Sequence, residues 1–213
     1  MCRRANVVLA WLLLAALPAL GGSAAGTTDL DRILQRFAEM PGFSAHFQEE
    51  RRLALLQAPL RSEGAIYFQP PDRLARHVER PAPSATIVRG NEITVVDGGD
   101  LRSLDLAAAP VLSAFVEGLR LLLRGDAGGI RTLFSVELAT EANGAWKLRL
   151  TPRRDAVRAA ILSIVVSGQD VRPGEMRIFE RGGDETRIRF SRVDVAHRFD
   201  AAESERLFRA PPP

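Results

Sequence analysis

Between Phe43 and Val195 the chain repeatedly alternates apolar and polar residues over short stretches, and each stretch ends at a turn signal. A strand sends successive side chains to opposite faces, so an alternation of period two marks a strand with one buried face. Phe43, Ala45 and Phe47 alternate in this way with Ser44, His46 and Gln48. Further strands are expected over residues 62–69, 73–79, 85–88, 92–96 and 101–106, and then over 135–141, 145–151, 161–167, 176–181 and 185–195. Pro70-Pro71-Asp72, Asp97-Gly98-Gly99-Asp100, Asn143-Gly144 and Gly182-Gly183-Asp184 supply turns between them, and Asn-Gly is a strong hairpin signal. In the strand around Trp146, Leu148 and Leu150, those three residues face one way while Lys147, Arg149 and Thr151 face the other. A loop is expected around Gln57-Ala58-Pro59. The fold class that follows is α+β: about ten antiparallel strands in one domain, with a few helices packed on one face.

The helices have a different period. Leu30, Ile33, Leu34 and Phe37 fall at i, i+3, i+4 and i+7, with Thr28 or Asp29 as cap and Pro41-Gly42 as stop. Pro110 opens a longer helix that runs to about Arg124. Its polar residues Ser113, Glu117, Arg120 and Arg124 form one narrow stripe, and Val111, Leu112, Phe115, Val116, Leu119, Leu121, Leu122 and Leu123 cover most of the rest. A helix with so wide an apolar surface is buried on several sides. Asp126 is placed to cap a short helix ending near Phe134, and short helices are expected at 155–160 and 201–207.

The N-terminus reads as an export signal. Basic Arg3 and Arg4 precede an apolar run from Ala5 to Leu20, which gives way to small residues, with Ser23 and Ala25 suited to cleavage after Ala25. The run is shorter than the roughly 20 apolar residues of a membrane span, and Pro18 breaks it. Residues 1–25 are therefore expected to be removed, leaving residues 26–213 as one domain of 188 residues. Cys2, the single cysteine, leaves with the signal, so neither lipidation at the cleavage point nor a disulfide is expected. Removing Arg3 and Arg4 also leaves 27 basic against 26 acidic residues, so the pI near 9.9 overstates the basicity. Signs are interspersed and no basic stripe with aromatics occurs, which argues against nucleic-acid binding.

No catalytic or metal constellation is apparent. His46, His77 and His197 are far apart, and no metal-binding spacing, nucleophile elbow or phosphate loop occurs. Gly128-Gly129 and Gly182-Gly183 read as a helix-edge break and a turn. Ser44 and His46 share a strand face without an orienting acid. The chain is read as no enzyme, with no cofactor and no metal.

Several blocks resemble LolA, the periplasmic carrier of outer-membrane lipoproteins. They are Gly42-Phe43-Ser44-Ala45-His46-Phe47-Gln48-Glu49 after the capped helix, the Glu63 to Leu74 strand and turn, the Phe115 to Asp126 stretch, Trp146 to Arg153, and the ending Phe208 to Pro212. The resemblance implies an incomplete, open antiparallel β-barrel of about 10–11 strands, with helices covering the concave face above a hydrophobic cavity for acyl chains. Phe47, Ile66, Phe68, Phe115, Leu119, Leu122, Trp146, Leu148 and Leu150 are the candidate lining; taken singly each reads more readily as core, and it is the resemblance that turns the set into an expected cavity. In the family an arginine before the proline of a turn tethers the lid. Pro70 stands at that position here, and Arg73 and Arg76 are the candidate tethers. The implied partners are an acylated lipoprotein or lipid cargo, an inner-membrane exporter as donor and an outer-membrane acceptor, with the carrier a periplasmic monomer. Burying a 16-carbon chain at about 0.8 kcal/mol per CH₂ gives on the order of 10 kcal/mol before costs. A lid that fills its own cavity when empty would make release possible, because cargo then replaces self-contacts. The second reading is a lipid-sensing or scaffolding module of the same fold, similar to the sigma-E regulator RseB.

Overall fold

The computed structural model describes residues 29–209, so the expected leader lies outside the described residues. Eleven strands form one antiparallel sheet. They are β1 (Phe43–Arg52), β2 (Leu60–Gln69), β3 (Arg73–Arg80), β4 (Ser84–Arg89), β5 (Glu92–Asp97), β6 (Asp100–Asp105), β7 (Phe134–Thr140), β8 (Ala145–Pro152), β9 (Ile161–Gln169), β10 (Arg172–Glu180) and β11 (Glu185–Asp194). Their order is β6-β5-β4-β3-β2-β1-β11-β10-β9-β8-β7. Ten neighbour pairs suffice for this order, and nine of them join strands consecutive in sequence, as short turns dictate. The tenth is β1 with β11, where Phe47 lies opposite Phe190 and Arg52 opposite Glu185. β6 and β7 end the sheet without pairing to each other, so the barrel is open.

The break between β6 and β7 carries the central helices. A 3-10 turn (Leu106–Ala108) leads into α2 (Pro110–Leu123) and then α3 (Ala127–Leu133). Proline at the first position suits α2 because its missing N–H would have no partner there. Asp126 caps α3 by accepting from the Gly129 amide at 2.8 Å. The turn at Gly98-Gly99 has φ of +58° and +94°, which glycine adopts at little steric cost and which matches the strand twist in a two-residue hairpin.

α2 joins two apolar clusters. On one side Ala114 and Leu121 pack with Leu30, Leu34 and Phe37 of α1 (Asp29–Ala38) and with Trp146, Leu148, Leu150 and Ile164 of β8 and β9. On the other, Val116 packs with Phe43 and Ala45 of β1, Phe68 of β2, Leu74 of β3, Val88 of β4 and Ile93 of β5. These strand residues all belong to the concave face. α4 (Asp155–Arg158) lies between β8 and β9 in the chain.

The last helix, α5 (Ala201–Phe208), lies on the other face of the sheet. Its Leu207 and Phe208 bury against Ala75 and Ile87, which oppose each other across β3 and β4. The adjacent pair Leu74–Val88 points into the concave core. The expectation of helices on one face thus holds for the α2 cover but not for α5. Strands β3 and β4 are apolar on both faces here, and such strands need a second covering layer.

Candidate functional site

Alternation along the strands sends a continuous apolar surface into the concavity, and α2 lies across it. Between them is a cavity of about 100 Å³. From α2 it is lined by Phe115, Leu119, Leu122 and Leu123, from β2 and β3 by Ile66, Phe68 and Leu74, and from β8 to β11 by Trp146, Leu148, Leu150, Ile164, Val166, Met176 and Phe190. No polar side chain lines it. The one polar tip nearby, the indole N–H of Trp146, donates to the Asp170 carbonyl at 2.8 Å, while the Trp146 ring meets Phe37 edge-on at 6.0 Å. The cavity is dry in character, and its volume is that of several waters at roughly 10–15 Å³ each. A long acyl chain does not fit beside these side chains as they are packed.

Of the nine residues expected to line a cavity, eight do so: Ile66, Phe68, Phe115, Leu119, Leu122, Trp146, Leu148 and Leu150. Phe47 is buried too but is not part of the lining, and the guanidinium of Arg76 stacks on its ring at 4.5 Å. This difference comes from distance along the strand. Phe47 shares the alternation of Phe43 and Ala45 but lies further toward the Arg52 end of β1, where Arg76, Glu49 and Ser62 form a polar cluster.

Neither Arg73 nor Arg76 bonds to α2. Arg73 donates to the Gln69 side chain at 3.3 Å, and Arg76 to Glu49 at 3.1 Å and Ser62 at 3.3 Å. The arginine that ties helix to sheet is Arg120, on α2 itself. Its Nη2 donates to the backbone carbonyls of Asp72 at 3.1 Å and Gly90 at 2.5 Å. These carbonyls sit in the β2–β3 and β4–β5 turns, so one side chain pins α2 to two turns at one end of the sheet. Sequence periodicity put Arg120 in a polar stripe with Ser113, Glu117 and Arg124, yet it is only 7% exposed. Its Nε has no hydrogen-bond partner. Burial pushes the guanidinium pKa down, and the charges of Asp72 and Glu117 work against that shift. Arg124, one turn on, pairs with Glu117 at 3.1 Å on the exposed side of the helix.

A second cluster joins residues distant in sequence. The imidazole of His197 lies 3.3 Å from Ser44 Oγ and 3.5 Å from Asp194 through Nδ1, and 3.2 Å from Glu203 through Nε2. Ser44 points away from the concave face, since its neighbours Phe43 and Ala45 point into it. With a carboxylate beside each ring nitrogen and a hydroxyl beside one, the imidazole ties the start of α5 to β1 and the end of β11. His77 has a similar structural part, with Nε2 3.0 Å from the Leu207 carbonyl. No spacing in the sequence points to either contact. Among the described residues, no group of three His, Cys, Asp or Glu is arranged to hold a metal ion, and no helix is long and apolar enough to cross a membrane.

Comparison with known proteins accords with this architecture. No curated protein sequence matches the chain significantly. Among solved structures, a DUF1329 family protein from Desulfovibrio piger is similar at a TM-score of 0.50 and 13% identity, over 85% of this chain and 95% of that one. The MucA/MucB complex of Pseudomonas aeruginosa matches at 0.50 and 15% identity over 82% of this chain, which spans only 60% of the matched chain. A LolA superfamily protein from Nitrosomonas europaea matches at 0.45 and 10% identity, over 85% of this chain and 97% of that one. At such identities the likenesses to the Desulfovibrio and Pseudomonas structures speak to the fold alone, and the third carries no argument. The family described as "Outer membrane lipoprotein carrier protein LolA-like" matches residues 22–203, and with that match across the sheet and its covering helices the chain belongs to the LolA-like family.

Proposed function

We propose that the chain is a periplasmic carrier that takes acyl chains of a lipoprotein or lipid-like molecule into the cavity under α2 and shuttles them towards the outer membrane. The observation that carries this reading is the cavity: its lining is wholly apolar, it is too small for cargo when closed, and a helix held by one arginine covers it. Phe115, Leu119 and Leu122 fill the empty carrier, and cargo displaces them when α2 lifts. Affinity is then the difference between two packed states, which permits release. An inner-membrane exporter would supply the cargo and an outer-membrane acceptor would receive it.

The test uses Trp146, the only tryptophan after residue 25. Titration of the purified chain with a palmitoyl ligand is expected to change its fluorescence saturably, and lipids extracted from protein isolated from the periplasm are expected to contain acyl chains. A flat titration together with lipid-free protein would sink the proposal. Recovery of a stable membrane-protein partner regardless of cargo would favour the lipid-sensing, RseB-like reading instead.

A further inference from the structure

The loop between β1 and β2 does not read as an ordinary connection. Its tip presents Leu55 with 97% of its surface exposed and Leu56 with 48%, and Leu60 at the start of β2 is 52% exposed. Single exposed apolar residues are common, but here Leu55 and Leu56 are adjacent at the tip and Leu60 follows where β2 leaves the same loop. Two backbone amides of the tip are hydrogen-bonded. The Leu56 amide donates to the Leu53 carbonyl at 2.9 Å, and the Ala54 amide donates to Asp184 of the neighbouring β10–β11 turn at 2.8 Å. The neighbouring turn thus props the loop without covering its leucines.

The charges at its base are arranged around this tip. Residues 51–61 contain Arg51, Arg52 and Arg61 and no acid. Arg52 and Arg61 share Glu50, at 2.9 and 3.5 Å, and Arg51 lies 3.7 Å from Glu180. The two carboxylates are mostly covered, whereas the side chains of Arg52 and Arg61 are 70% and 75% exposed. The loop's own exposed charges are therefore positive, its nearest carboxylates (Glu50, Glu180 and Asp184) are partly covered or bonded to it, and its most exposed side chain, Leu55, is aliphatic. An anionic bilayer has the complementary layering, with hydrocarbon beneath a negatively charged headgroup layer. A protein groove would have to supply an apolar hole ringed by acids around a convex tip, so the bilayer is the simpler match.

We propose that the β1–β2 loop is a membrane-docking tip, whose Leu55, Leu56 and Leu60 enter the interface of an anionic bilayer while Arg52 and Arg61 engage lipid phosphates. The loop lies at the end of the sheet opposite the β2–β3 and β4–β5 turns that Arg120 holds, because successive antiparallel strands place alternate turns at opposite ends. Docking therefore leaves the α2 contact free. Three leucines and two arginines make a weak, reversible attachment, as a diffusing carrier needs.

The test is flotation of residues 26–213 with vesicles of phosphatidylethanolamine and phosphatidylglycerol (3:1) and with pure phosphatidylcholine. The wild type is expected to float with the anionic vesicles. The pair Leu55→Ser and Leu56→Ser is expected to reduce binding at least tenfold, and Arg52→Gln with Arg61→Gln to reduce it severalfold on anionic vesicles only, with steep salt sensitivity in the wild type. Leu55→Trp is expected to show a blue-shifted emission on the same vesicles, measured in a Trp146→Phe background. Absence of wild-type binding, or equal binding by the serine pair, overturns the proposal. So does a wild-type dimer that becomes monomeric in the serine pair, since the loop would then serve self-association. The palmitoyl titration, read from Trp146 in the serine pair, is expected to be unchanged; its failure in the wild type would count against the carrier reading and not against docking.

Discussion

Replacing Arg120 with methionine tests the proposed lid role of α2 directly. The guanidinium makes two hydrogen bonds from a charged donor to carbonyls, and such bonds are worth about 1.5–3 kcal/mol each. Against them stands the burial of a cation with its Nε unpaired, a cost of several kcal/mol for a fully desolvated ion. The carbonyls of Asp72 and Gly90 belong to turns at the sheet's end, where water can replace the lost donor, so little further penalty follows. The balance leaves a latch on the order of 2 kcal/mol in favour of closure. In the proposed carrier cargo competes with the closed, empty state, so weakening closure by about 2 kcal/mol would tighten apparent affinity by about 30-fold. The assay is titration of Arg120→Met and wild type with the same palmitoyl ligand, alongside urea unfolding to show that the sheet is intact. Methionine keeps the length and apolar stem of arginine and leaves no buried charge. Equal or weaker binding by a folded Arg120→Met protein would refute the reasoning, and would mean that desolvation of the guanidinium outweighs its two bonds.

Other substitutions test the packing and the electrostatics. A side chain at Gly118 would place its Cβ 2.8 Å from the Phe134 ring, so Gly118→Val is expected to push α2 off β7 and lower stability by about 1–3 kcal/mol, read by thermal unfolding. A Cβ at Gly64 would overlap the His77 carbonyl in the adjoining strand β3; Gly64→Ala is expected to cost about 3 kcal/mol or more, whereas normal stability would mean that β2 and β3 part easily at this point. Trp146→Phe loses the bond to Asp170 and is expected to cost about 1 kcal/mol while the cavity keeps its apolar lining. The Glu50 carboxyl is held below its ordinary pKa, chiefly by the hydrogen bond from Arg52 and with help from Arg61. Since the folded pKa is the lower one, its contribution is present above the unfolded pKa and disappears as pH falls through the folded value. An NMR titration of Glu50 is expected to show a midpoint below that of a model glutamate, and Arg52→Gln is expected to raise it.

Much of the fold is legible because it is local. Alternation at Phe43, Ala45 and Phe47, the Gly98-Gly99 and Asn143-Gly144 turns, and the Asp126 cap depend on residues within a few positions of each other, and the strands and helices lie close to where these signals put them. The apolar breadth of residues 110–123 likewise anticipates a helix buried on more than one side. Local patterning gives no information on how far along a strand the cavity reaches, which is why Phe47, with the right face, falls outside the lining. Nor does it separate a solvated arginine from a buried one on the same helix stripe, as Arg124 and Arg120 demonstrate.

The sequence by itself therefore determined the antiparallel strands, their inward apolar faces and the wide apolar surface of α2, since each follows from the period of side chains along one segment. Tertiary structure alone decided the pairing of β1 with β11, the docking of α5 on the outer face through His197 and Leu207, and the choice of Arg120 over Arg73 and Arg76 as the tie between α2 and the sheet. Those contacts join residues far apart in the chain. A partner such as the Gly90 carbonyl is available to Arg120 only because the β4–β5 turn and α2 meet at the same end of the sheet, and no local pattern encodes that meeting.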